Sequence, residues 1–210
     1  MKSIKQSGIS VQDDKTGKRL FFRQEIFELP EFYFVKHVAV QTFALPDGSE
    51  GRWESVYEEN RTILVAALTG QGNLVLVQQF RFPTHDTYLE LPGGGANKGE
   101  PMELTARREL LEETGYTTPD KRLPFLLQGP LYSGGTNGRF YLFAALNCSK
   151  AHRPKRDAME KFAGMKTVII HPHAILKNIY QGNPRCARYD PILLAALVVM
   201  HAMGMTSLAP

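Results

Sequence analysis

The stretch from Gly94 to Tyr116, GGANKGEPMELTARRELLEETGY, constrains this chain more tightly than any other part of it. Pro101 suits the first turn of a helix and Gly115 suits the left-handed residue just past its end, which predicts a helix of about 14 residues. At 3.6 residues per turn, Leu104, Ala106, Leu110 and Leu111 fall on one broad apolar side, the side a core would cover. Glu109, Glu112 and Glu113 stand at i, i+3 and i+4 and cluster on an adjoining side, where like charges repel and weaken the helix. Arg108 is expected to reach only Glu112, at the four-residue spacing. A divalent cation resolves the conflict, because carboxylate oxygens are hard ligands suited to Mg²⁺ or Mn²⁺. A solvated acidic helix face is the alternative meaning of such a cluster taken alone.

The same residues carry a family resemblance. Gly94, Glu100, Arg108, Glu109, Glu112, Glu113 and Gly115 match the Nudix box, Gly-x5-Glu-x7-Arg-Glu-U-x-Glu-Glu-x-Gly-U, with Leu110 and Tyr116 at the apolar U positions. The chain therefore resembles the Nudix hydrolases, which cleave a nucleoside diphosphate linked to another group. That resemblance implies an α/β/α sandwich with a mixed β-sheet over residues 61–210. It also implies metal ligation by Glu109, Glu112 and Glu113, with the carbonyl of Gly93 as a backbone ligand. Arg108 would orient the carboxylates through forked hydrogen bonds, and Glu100 would pair with it.

Length and composition agree with such an enzyme. The chain has 210 residues, 43% of them apolar, enough for one good core with a small appended element. A net charge of +4 suits a small anionic substrate without indicating nucleic acid. Cys148 and Cys186 are too few for a disulfide framework and lack zinc-ligand spacing, so both are expected as reduced thiols. MKSIKQSGIS lacks the apolar core of a signal peptide, and Pro191 to Met205 is too short an apolar run to span a bilayer comfortably. A soluble cytoplasmic protein is expected.

Strands are predicted along residues 19–60, with Pro46-Asp47-Gly48 as a turn. TILVAAL (62–68) and LVLVQQF (74–80) read as a buried hairpin, YLELP (88–92) leads into the glycine turn, and further strands are predicted near 123–128, 139–146 and 167–172. His173 to Tyr180 reads as a short helix ended by Gly182, and Tyr189 to Met203 as a terminal helix. Residues 1–60 form a β-rich region that, by resemblance to the ADP-sugar branch of the family, would support a homodimer.

Substrate contacts are less sharply marked. QQFRFP followed by LELPGGG resembles the ADP-ribose and nucleotide-sugar branch, which makes Arg81 a phosphate contact suited to bidentate recognition and Glu90 an outer carboxylate. Gly94 and Gly95, with Gly93, would let a diphosphate approach that a side chain would crowd. LYSGGTNGRFYLF resembles the branch's loop before a strand and brings in Arg139. It departs from pattern, with Ser133 where a proline is expected and Gly138 where an acid commonly precedes Arg139. In KAHRPKRDAMEKF the acids are Asp157 and Glu160. Glu160 is taken as the general base, on a loop expected to be mobile; a solvated charged loop is the competing meaning. Trp53 stacks on a base or simply packs. A dinucleoside polyphosphate hydrolase, an RNA 5′-end hydrolase and a silent nucleotide-binding regulator stay open as alternatives.

Overall fold

The computed structural model describes residues 2–12, 19–30, 36–181 and 188–208. The chain divides into two units, Met1–Arg61 with Gly129–Arg139, and Thr62–Gln128 with Phe140–Pro210.

The first unit is built on an antiparallel four-stranded sheet in the order β1 (Lys2–Gln12), β2 (Arg19–Glu28), β3 (His37–Ala44) and β4 (Glu50–Tyr57). β1 is absent from the sequence reading. Its apolar residues are sparse and interrupted by Gly8, so neither face shows the alternation that marks a half-buried strand. The predicted turn at Pro46-Asp47-Gly48 is present, with Gly48 at φ 86° and its N–H donating to the Leu45 carbonyl. The Tyr132–Gly138 loop docks beside β4 in this unit: Val56 N–H donates to Gly135 O at 2.8 Å, and Trp53 Nε1 donates to Gly134 O at 3.0 Å.

The second unit holds a mixed sheet. Its main path runs β10 (Phe125–Pro130), β11 (Arg139–Lys150), β5 (Thr62–Thr69), β6 (Leu74–Arg81) and β12 (Lys166–Ile170). β11 and β5 are parallel, β5–β6 and β6–β12 are antiparallel, and the short β9 (Tyr116–Thr117) pairs antiparallel with the end of β11. The predicted β5–β6 hairpin forms at its turn, where Gly72 takes φ 76° and Thr69 N–H donates to Asn73 O. Beyond the turn the two strands part. β7 (Asp86–Glu90) pairs with β6, and β8 (Gly93–Gly95) pairs with β5. The glycine turn is thus wedged into the sheet itself.

Residues of both parities on β5 and β6 are buried: Ile63, Val65 and Ala67 as well as Ala66 and Leu68, and all of Leu74–Val77. Only a sheet covered on both faces does this. On one face Ile63, Val65, Ala67 and Val75 pack in one cluster with Ala106 and Leu110 of the box helix. Apolar surface from Ile175 of α3 (Pro172–Tyr180) and from Leu193, Ala196, Leu197 and Met200 of α4 (Pro191–Ala202) is also buried, completing an α/β/α sandwich. Gly182, expected to end α3, lies outside the described residues, as does Cys186. Cys148 is a free, buried thiol that burial pushes up to about 12.

The box helix differs from its sequence reading in two ways. It starts one residue later, with Pro101 as the N-cap ahead of α1 (Met102–Glu109), and its last turn, Leu110–Thr114, is a π turn. The buried stripe is Thr105, Ala106, Glu109, Leu110, Glu113 and Thr114, whereas Leu104, expected in the core, is 55% exposed. The core face therefore includes two of the glutamates.

Candidate active site

Gly115 ends the π turn at φ 77°, its N–H donating to Leu111 O at 2.9 Å. The carbonyls left over at this helix end are met by the segment after β11. Lys155 N–H donates to Glu112 O at 2.7 Å, Arg156 Nε to Glu113 O at 3.0 Å, and Ala151 N–H to Gly115 O at 2.9 Å. A basic segment at a helix C-terminus also complements the helix dipole. Of the cations in this segment, Arg156 thereby has an internal structural use, while Lys155 contributes its backbone amide.

At the opposite edge, the glycine strand and the helix are stitched together. Gly93 N–H donates to Glu113 Oε2 at 2.8 Å, and Arg108 Nη2 to Gly95 O at 3.1 Å. An added Cβ on Gly93 would lie 2.2 Å from Ile63 O, and one on Gly94 would lie 2.6 Å from Glu109 Oε1. Gly93 and Gly94 are therefore needed by the protein's own atoms before any substrate is considered. Gly95 has nothing within 4 Å of such a Cβ.

Arg108 reaches further than its spacing suggested. Nε and Nη2 form a fork on Glu100, both at 3.0 Å, while Nη1 donates to Glu109 Oε1 at 2.7 Å and to Glu112 Oε2 at 3.1 Å. The Arg108 fork, with help from Asn97 N–H, holds the Glu100 carboxyl down to about 2. Its partners, Glu100 foremost, raise the Arg108 guanidinium in turn.

Glu109 and Glu113 are buried, and Glu112 stands at the more open edge. Burial pushes the Glu109 carboxyl up despite Arg108, and pushes Glu113 well above the usual carboxylate range. Taking an ionised carboxylate out of water costs on the order of several kcal/mol unless a cation or donors offset it. Among the described residues, the Glu113 carboxylate accepts from the Gly93 amide. Among the described residues, no three acidic, histidine or cysteine side chains form a ready-made ligand cage; Arg108 bridges two of the acids instead. The donor set is nonetheless all hard oxygen and short of positive charge, which fits Mg²⁺ or Mn²⁺ and does not fit a soft metal.

Glu160 belongs to a short capped helix, α2 (Ala158–Phe162), rather than to an irregular loop. Asp157 caps it, accepting from Glu160 N–H at 2.8 Å, while Glu160 Oε2 accepts from Asp157 N–H at 2.7 Å. Burial raises the Glu160 carboxyl, and it lies within electrostatic reach of Glu109, Glu112 and Glu113.

Arg81 is half exposed and forked onto Glu90, with Nε to Oε1 at 2.8 Å and Nη2 to Oε2 at 2.5 Å. Gln79 Nε2 donates to the same Glu90 carboxylate at 2.9 Å. The Gln-x-Arg pattern of β6 and the glutamate of β7 thus form one network, which also feels Glu113 and Asp190. Asp190 caps α4 and was not singled out from sequence; Asp-Pro ahead of an apolar run was its signal. Arg139 is exposed at the start of β11 and groups with the first unit. In that unit, a Cβ on Gly138 would meet the Glu58 carboxylate at 2.5 Å, so an acid from β4's end occupies the space beside the position where the resemblance expects one.

A sheet-wedged glycine turn, a helix with buried glutamates and one arginine tying them together define a class of protein. Residues 58–188 match the NUDIX domain, and the chain belongs to that family. It is 44% identical over 108 residues to the ADP-ribose pyrophosphatase of Bacillus subtilis (strain 168), covering 51% of this chain and 53% of that one. It is 33% identical over 115 residues to the ADP-sugar pyrophosphatase of Mus musculus, covering 50% and 51%. The matched stretch spans about half the length of these relatives. A solved ADP compounds hydrolase shares the fold, with TM-score 0.67 over 86% of this chain and 94% of that one, at 14% identity.

Proposed function

We propose that this chain hydrolyses the pyrophosphate bond of a nucleoside diphosphate derivative, foremost ADP-ribose or another nucleotide sugar. The products are a nucleoside monophosphate and a phosphorylated second fragment. The observation that carries this reading is the buried Glu109–Glu113 pair, short of positive charge, beside a glycine strand whose Gly95 faces open space. Nudix hydrolases generally need divalent metal ions; here Mg²⁺, or Mn²⁺ in its place, would be held by Glu109, Glu112 and Glu113 with the Gly93 carbonyl. Bound there, the cation supplies the charge that activates water and neutralises phosphate oxygens.

The chain's own groups do the rest. Arg108 positions the ligand carboxylates without touching substrate. Glu160, its carboxyl raised by burial, accepts the proton of the attacking water; a base with a raised pKa works closer to neutral pH. Arg81 spends two of its five donors on Glu90 and keeps others for a phosphate oxygen. Gly94 and Gly95 border the diphosphate, and Arg139 is assigned to the substrate. The Arg156 guanidinium is spent on the helix end and on Thr167, which takes one cation of that segment away from a nucleic-acid groove. No helix among the described residues is long and apolar enough to cross a membrane, and a cytoplasmic homodimer assembled through the four-stranded sheet completes the proposal.

Phosphate-bond cleavage of ADP-ribose, GDP-mannose, FAD, diadenosine polyphosphates and capped RNA, each with Mg²⁺ and with EDTA, tests it. ADP-ribose or a nucleotide sugar should turn over fastest, and only with metal. Metal-independent cleavage, or faster cleavage of RNA ends or dinucleoside polyphosphates, overturns the assignment. Light scattering at a range of concentrations checks the dimer.

A further inference from the structure

Residues 151–165 form a belt between β11 and β12 that is fastened at both ends. Its first half is tied to the box helix through Ala151, Lys155 and Arg156, and Arg156 Nη2 also donates to Thr167 Oγ1 at 2.7 Å. Its second half carries α2, whose five residues are too few to persist as an isolated helix. Two kinds of contact hold this end. Phe80 N–H donates to Ala163 O at 3.0 Å and Met165 N–H to Glu160 O at 2.9 Å. The Phe162 ring stacks on Phe82 with centroids 5.6 Å apart and planes 9° apart, and Phe82 in turn meets Phe80 edge to face at 5.1 Å.

Both outer rings are conspicuously wet for phenylalanine, Phe82 at 43% exposed and Phe162 at 75%. They add little to the core. What the stack does touch is a single helical turn, and Glu160 lies on that turn, two residues before Phe162. The capping box fixes the other side of the same turn by engaging Glu160 Oε2. The charged groups this turn brings near Glu160 are Asp157, Arg156 and the box glutamates.

We propose that the Phe82–Phe162 stack is a clasp that holds Glu160 in place toward the box glutamates, which makes Phe162 a positioning residue for the hydrolysis. The proposal rests on Glu160 being the base and deepens that reading: the base sits on a fastened turn, not on a loop that must order first. Displacing a reacting group by a fraction of an ångström lowers the rate without weakening ground-state binding. Loss of the clasp should therefore fall on kcat.

Five proteins decide the matter: wild type, Phe162→Ala, Glu160→Gln, the double variant and Phe162→Tyr as the conservative rescue. Amide hydrogen exchange reads the clasp without any turnover. Phe162→Ala should speed exchange across residues 157–163 and leave residues 102–114 as they are. On the best diphosphate of the panel, kcat should fall by at least ~10-fold with KM and the Mg²⁺-induced thermal shift near wild type. Phe162→Tyr should restore it, and Phe162→Ala should cost nothing more in the Glu160→Gln background. Unchanged exchange, an equal loss in that background, or a raised KM with intact kcat each overturns the clasp. If Glu160→Gln is crippled and Phe162→Ala is silent, the clasp alone fails. If Glu160→Gln keeps full turnover, the base assignment fails and the clasp with it.

Discussion

Gly94→Ala is the substitution that most cleanly separates catalysis from folding. Gly94 does not take a left-handed φ, so alanine meets no backbone penalty there. Its Cβ would lie 2.6 Å from Glu109 Oε1 and 2.8 Å from Glu109 Cδ, against 3.4 Å for ordinary contact, so the carboxylate must retreat by about 0.8 Å. Arg108 Nη1 follows or lets go of Glu109. Displacements near 1 Å at a reacting centre cost about 10²-fold in rate, equivalent to ~2.7 kcal/mol of barrier. The atom displaced is the tip of a side chain, so the melting temperature without metal should hardly move. Gly95→Ala is the control, because nothing stands within 4 Å of its Cβ. Calorimetric titration with Mn²⁺, alongside kcat and KM, provides the assay. Gly94→Ala should lose metal affinity and turnover; Gly95→Ala should keep its metal affinity and show any defect in KM. A Gly94→Ala protein with wild-type metal affinity and turnover would refute the argument that Glu109 is a ligand held by close approach to the glycine strand.

Glu113→Gln should cut turnover by at least ~10²-fold yet melt higher than wild type in EDTA at neutral pH. Burial raises the folded-state pKa of Glu113, so its favourable contribution is complete below the unfolded value near 4.5 and is lost as pH rises through the folded value; scanning calorimetry from pH 4 to 8 follows this. The Glu100–Arg108 fork has the opposite sign: its contribution is full above about 4.5 and fades as pH falls toward about 2. Arg108→Lys should therefore move the acid-unfolding midpoint to higher pH, read by circular dichroism. Gly115→Ala should destabilise by more than ~1 kcal/mol, because φ is 77° and the new Cβ would lie 2.2 Å from His152 O. Urea titration measures it.

The box helix and the β5–β6 hairpin were legible because each is local: a period or a turn announces it. What escaped the sequence is set by partners far along the chain. Leu104 looks like a core residue on a helical projection, but the helix is rotated so that Glu109 and Glu113 face inward, anchored by the Gly93 amide and Arg108. No periodicity rule assigns a glutamate to a buried stripe. Helical spacing offered Arg108 only Glu112 and the resemblance added Glu100; Glu109 is the further partner, because a long guanidinium samples more than its helical neighbours. The belt after β11 looked like a charged loop because its order comes from capping the carbonyls of a helix roughly forty residues earlier. Glu160 was legible as an acid but not as part of a capped and stacked turn.

The three glycines threaded between β5 and β6 have a wider consequence. Because they are backbone-paired to β5 inside the sheet, the glycine strand cannot be remodelled piecemeal; altering its height means re-registering β8 against β5. Sequence variation is thereby pushed outward, to loops and appended segments that can drift while the glycine strand stays put.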